Sequence, residues 1–119
     1  MSDDGLREAY QSLADRTTES FDQFKQFSSF CEIHPQYVGG VCCGAVLVFG
    51  SEIHACILPW AKGLWFSRRA IRLLNAVIAK HGKATTRATT DEGRRFVESL
   101  GFVADGEIYR RNRRWDLKH

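Results

Sequence analysis

Glu52 and His54 stand two residues apart in the apolar segment Glu52-Ile-His-Ala-Cys-Ile-Leu58, and on a strand that spacing projects both side chains from one face. A carboxylate beside an imidazole is equipment for moving a proton near neutral pH. Further on, Lys62-Gly63 leads into Ser67-Arg68-Arg69, where a serine placed to cap a helix is followed at once by two guanidiniums. The positive end of a helix dipole, two arginines and a glycine attract a phosphate. A third group lies at the far end: Arg110, Arg111, Arg113, Arg114 and Lys118 crowd against Asp116 alone, with Trp115 among them. Such a cluster can engage a phosphate backbone or an acidic partner, or it can simply blunt an exposed edge strand against aggregation. The net charge of only +3 favours the edge-strand reading, so nucleic acid is not the expected partner. The four cysteines (Cys31, Cys42, Cys43, Cys56) include no Cys-x-x-Cys pair, and Cys42 and Cys43 fall on opposite faces of a strand. They read as small core hydrophobes, with neither a disulfide framework nor a metal site.

The elements that must position these residues follow from periodicity. Pro59 ends a strand near Leu58, because it can donate nothing to a ladder. From Ser67 to Lys80, Ala70, Ile71, Leu73, Leu74, Val77 and Ile78 recur at three- and four-residue spacing, with Arg68, Arg69, Arg72, Asn75 and Lys80 on the other face and His81-Gly82 closing the helix. Lys83 to Ala88 reads as a strand parallel to Glu52–Leu58, and Asp91 precedes a short helix with Phe96, Val97 and Leu100, stopped by Gly101. Upstream, Leu6 to Ala14 and Glu19 to Phe27 read as two short helices, or one bent helix, with a weak break at Thr17-Thr18. Val41 to Phe49 is a buried strand joined to Glu52 by a Gly50-Ser51 hairpin, and Glu32 to Val38 adds an edge strand restricted by Pro35. At the C-terminus, Gly106 to Tyr109 and Arg113 to Leu117 flank an expected turn at Arg111-Asn112.

These 119 residues, 44% hydrophobic, suit one α/β domain with a mixed, mainly antiparallel sheet, one splayed parallel pair and helices on both faces. Within it, 1–28 is helical, 41–58 a β-hairpin, 59–102 a β-loop-α-β-α unit and 103–119 a C-terminal strand or hairpin. No apolar run approaches eighteen residues and the start Met-Ser-Asp-Asp lacks a signal pattern, so the expected location is cytoplasmic, or inside something assembled there.

The stretch Glu52 to Phe102, and above all Arg95-Phe-Val-Glu-Ser-Leu-Gly-Phe102 after a βαβ unit, resembles the GNAT (Gcn5-related N-acetyltransferase) superfamily over the second half of the chain. Lys62-Gly63-x-Trp65 entering the helix is similar to a phage and prophage branch of that superfamily. The pattern from Leu64 to Leu117 also resembles the GNAT-like internal virion proteins of short-tailed phages. The resemblance implies acetyl-CoA as cofactor, an amine as acceptor and no metal. It implies cofactor contacts from Leu58, Lys62, Gly63, Leu64, Trp65, Phe66, Ser67, Arg68, Arg69 and Thr90. It makes Glu52 or His54 the base that deprotonates the amine, and Tyr109 a proton donor. Trp60 and Trp65 then form a lid over the loop or a protein contact patch. Several family positions are filled differently. Trp65 and Ser67 replace the loop glycines, Thr90 replaces an Asn, and Val97 replaces the usual catalytic Tyr. The alternative is a catalytically silent GNAT-fold phage protein serving as a virion or interaction module.

Overall fold

Val41–Phe49 is strand β2 in the computed structural model, and its partner is β1 (Glu32–Val38), antiparallel from Glu32↔Val48 to Val38↔Val41 with one irregularity between Gln36 and Tyr37. The structure describes residues 5–13 and 20–116. Ala14, the break at Thr17-Thr18, Glu19, Leu117 and Lys118 lie outside the described residues. The remaining strands are β3 (Glu52–Ile57), β4 (Ala84–Thr86), β5 (Val103–Asp105) and β6 (Ile108–Arg111). The helices are α1 (Leu6–Leu13), α2 (Phe21–Ser28), α3 (Arg68–His81) and α4 (Asp91–Ser99). The fold is mixed α/β, with a six-stranded, mostly antiparallel sheet ordered β1-β2-β3-β4-β6-β5 in which β3 and β4 run parallel. Among the described residues no helix is long and apolar enough to cross a membrane.

The chain divides into two compact units: the described residues to Phe49 with His54–Ser67, and Gly50–Ile53 with the described residues from Arg68. In the first unit, Leu6 and Ala9 of α1 and Phe24 of α2 pack on Ala45, Leu47 and Cys56. Tyr10 adds two tilted ring contacts, to Phe21 and Phe24, each with centroids 5.7 Å apart. Helix α2 starts at Phe21 because Ser20 caps it: the Ser20 hydroxyl accepts from Gln23 N–H, and the Gln23 side chain accepts from Ser20 N–H. Gly44 is buried at φ +143, and a Cβ there would fall on the Cys56 carbonyl oxygen. Only a residue without a side chain lets these backbones approach so closely.

In the second unit, α3 buries Ala70, Leu74, Val77 and Ile78. The three larger side chains contribute roughly 5–9 kcal/mol of apolar burial before entropy is counted. The β3–β4 ladder holds one register pair, Glu52↔Thr85. Thr85 N–H donates to Ser51 O at 2.7 Å, and beyond it the Thr86 hydroxyl, not a backbone amide, donates to Ile53 O at 2.7 Å. The sequence expectation differs most at the C-terminus. The hairpin turns at Gly106-Glu107, where Asp105 faces Ile108, and not at Arg111-Asn112. Asp105-Gly106 is the stronger turn dipeptide, and it places Arg110 and Arg111 on β6, which lies between β4 and β5. Arg110 and Arg111 therefore do not blunt an edge strand; the edge on this side is β5. Arg113 to Asp116 continue without strand pairing.

Candidate functional site

Leu58 follows β3 in extended conformation, and Pro59–Ala61 make one 3-10 turn. The loop then folds on its own carbonyls: Lys62 N–H donates to Pro59 O (3.3 Å), while Leu64 N–H (2.9 Å) and Trp65 N–H (3.2 Å) both donate to Ala61 O. Gly63 takes φ +86 in open space, with nothing within 4 Å of where a Cβ would stand. Trp65 is only 6% exposed, and its ring meets the Phe66 ring edge-on with centroids 5.4 Å apart. The indole is therefore core, neither lid nor contact patch, and it leaves the loop surface clear. Trp60, 49% exposed, keeps the surface position expected of both. Lys62, Leu64, Ser67, Arg68 and Arg69 are exposed, and α3 begins at Arg68. As first-turn residues, Arg68 and Arg69 have N–H groups with no carbonyl partner inside the helix.

Lys62 is an exposed cation on the loop of the first unit, where the amides of Lys62, Leu64 and Trp65 are engaged within the loop; Arg68 and Arg69 are exposed cations at the start of α3 in the second. Amides engaged in this way are not available to form an anion-binding nest.

The other predicted residues are distributed over both units. His54, Leu58 and Lys62 to Ser67 belong to the first; Glu52, Arg68, Arg69, Thr90 and Tyr109 belong to the second. Glu52 Oε1 lies 3.7 Å from Arg87 Nε, and Arg87 Nη1 lies 3.9 Å from Glu107 Oε2. This partly exposed chain of charges contributes at most about 1 kcal/mol per pair, but it gives the Glu52 carboxylate a cation to answer. Tyr109 pairs across the ladder with Thr86 and Ala104, and its hydroxyl donates to Glu98 Oε1 at 3.2 Å. Desolvation first, and then the Glu98 carboxylate, raise its pKa. Thr90 caps α4: its hydroxyl accepts from Gly93 N–H at 3.0 Å. None of the four cysteines forms a disulfide, and burial raises the pKa of Cys42 and Cys43.

At the basic end each arginine has its own place. Arg110 Nε bonds Asp105 Oδ2 at 3.0 Å, and its Nη1 bonds Asn112 Oδ1. Arg111 lays its guanidinium 3.8 Å over the Trp115 ring, donates to Leu100 O (2.9 Å) and to Arg113 O (2.7 Å), and is lowered in pKa by burial and then by the charge of Arg113. Asn75 on α3 clips the following segment in place: its Nδ2 donates to Trp115 O (2.9 Å) and its Oδ1 accepts from Trp115 N–H (2.7 Å). Asn75, Arg113, Arg114 and Trp115 line a pocket of about 360 Å³. Sequence reasoning left Asn75 on the polar face of a helix and did not single out Arg87 or Glu98. The one available signal was Asn75 itself, an amide among arginines on that face.

In comparisons with protein-family models, curated proteins and solved structures, nothing matches this chain significantly.

Proposed function

We propose that this chain is a GNAT-fold protein that carries out acyl-CoA-dependent N-acetyl transfer to an amine. The observation carrying this reading is the run of β3, cationic loop, α3 and β4, with β3 and β4 parallel at Glu52↔Thr85 and Arg68-Arg69 opening the helix. The acyl-CoA supplies an acetyl group activated as a thioester. Lys62, Arg68 and Arg69 hold the diphosphate by charge, and Glu52 or His54 accepts the amine proton. Tyr109 is protonated at neutral pH, as an ordinary phenol is, and can serve as the proton donor. The setting of the reading is cytoplasmic, or a phage particle assembled there.

A second reading, a catalytically silent virion or interaction module on the same fold, is favoured by specific bonds. The Tyr109 hydroxyl is held by Glu98, the Glu52 carboxylate faces Arg87, and three loop amides are engaged internally. Calorimetric titration of acetyl-CoA separates the two. On the enzyme reading Lys62→Ala weakens binding roughly 10- to 150-fold, since a charge-assisted phosphate contact contributes about 1.5–3 kcal/mol. Absence of heat from the wild type at millimolar acetyl-CoA ends the enzyme reading. Binding without acetylation of any amine in a broad panel supports the silent module.

A further inference from the structure

Phe27, Phe30 and Phe49 are 57%, 75% and 57% exposed, the most open rings among the described residues of the first unit. They stand together at one end of β1 and β2. The chain turns as it leaves α2, with Phe30 N–H donating to Phe27 O at 3.3 Å and Cys31 N–H to Ser28 O at 2.9 Å, and β1 then starts at Glu32 opposite Val48. That register brings Phe49 alongside the same turn. Ile33 opposes Leu47, and Phe49 lies two residues beyond Leu47, so all three share one face of the sheet. It is the face on which Phe24 packs, and Phe27 follows Phe24 by one turn of α2. Glu32, the charged residue next to Ile33 on β1, alternates to the opposite face. Phe27, Phe30, Ile33 and Phe49 therefore make one apolar patch at the end of α2.

We infer that this patch is a self-association surface, covered in solution by the same patch of a second copy of the chain. At roughly 200 Å² per fully open ring, the three phenylalanines leave about 400 Å² uncovered, the size at which an exposed apolar patch marks a contact. Two copies bring together about 800 Å² of apolar surface. That is close to the non-polar share, roughly 900 Å², of a standard interface of about 1,600 Å². A twofold dimer requires a patch to be its own complement, and rings that meet edge-on or offset satisfy this where a surface of one charge does not. The rest of the chain offers little to cover the rings: residues 1–4, 14–19 and 117–119 hold only Met1, Ala14 and Leu117 as apolar side chains. The free edge of the sheet does not provide the contact instead, because β1 is that edge and Pro35 at its middle has no N–H for an added strand. None of these residues belongs to the loop or the start of α3, so the inference does not rest on the acyl-CoA reading.

The test is analytical ultracentrifugation of the full chain from low micromolar to near-millimolar concentration, where the mass should rise from 13.5 kDa towards twice that value. Phe30→Ser and Phe49→Ser, made separately, each alter a twofold interface at two places. Each should raise the dissociation constant at least about thirtyfold, the scale of a buried aromatic hot spot. Val41→Ser removes an exposed apolar side chain from the other end of β2 and should leave the constant unchanged. Thermal melts check that all three variants are folded. A wild type that stays monomeric throughout overturns the inference. So does a dimer that survives both phenylalanine substitutions, or one that Val41→Ser weakens as much. Binding of a monomeric wild type to phosphatidylcholine vesicles that Phe30→Ser abolishes also overturns it and makes the patch a membrane contact.

Discussion

Replacing Asn75 by Ala tests how the C-terminal segment is held. The Asn75 amide presents a donor and an acceptor to the carbonyl and N–H of Trp115 at 2.9 and 2.7 Å, both in the normal range and both partly buried. Each such bond contributes about 0.5–1.5 kcal/mol net, so the variant should lose roughly 1–3 kcal/mol of the free energy that keeps Trp115 docked. The Arg111–Trp115 stack that remains contributes only about 0.5–1 kcal/mol, too little to hold the segment as before. Because residues 113–116 carry no strand pairing and open locally, the loss belongs in their own hydrogen exchange and not in the global melting temperature. Exchange of the Trp115 amide, followed by NMR, should accelerate by roughly 5- to 150-fold in Asn75→Ala. Asn75→Asp, which keeps the acceptor for Trp115 N–H, should fall between. An unchanged Trp115 exchange rate in Asn75→Ala would refute the clip and with it the placement of Arg113 and Arg114.

Gly44→Ala forces a side chain onto the Cys56 carbonyl at a strained backbone angle, so we expect a loss of about 3 kcal/mol or more in denaturant unfolding; a loss under 1 kcal/mol would contradict that close approach. Tyr109 has a raised pKa, which means folding favours its protonated form: the stability it contributes is complete below the ordinary tyrosine range and is lost as pH climbs through the raised value. Ultraviolet titration should therefore show a phenol ionising above the ordinary tyrosine range, and Tyr109→Phe should abolish that late step.

How much of this was legible in the sequence depended on the range of the interaction. Val41–Phe49 could be read to the residue because its apolar run is bracketed by glycines, and α3 to within one residue because its apolar stripe is unbroken. The parallel pairing of β3 with β4 followed from the helix between them. Trp65 misled because an aromatic in a loop looks like surface, while burial depends on what the loop folds against. The C-terminal arginines misled for a similar reason. A dense run of charge suggests a solvated edge, yet Arg111 crosses to Leu100 and covers Trp115. Tyr109–Glu98 and Asn75–Trp115 span 11 and 40 residues, and no local pattern encodes such partners.

Arg111 also ties together residues that the sequence keeps apart. Its guanidinium reaches Leu100 O by passing over Gly101, at φ +87, where a Cβ would strike Nη1, and it covers Trp115 on the other side. Lysine has neither the flat face nor the forked donors to replace it. Gly101, Arg111 and Trp115 therefore act as one packing unit that ties the end of α4 to β6 and to the segment after it, and Gly101 keeps its own need for glycine at positive φ whatever stands at 111.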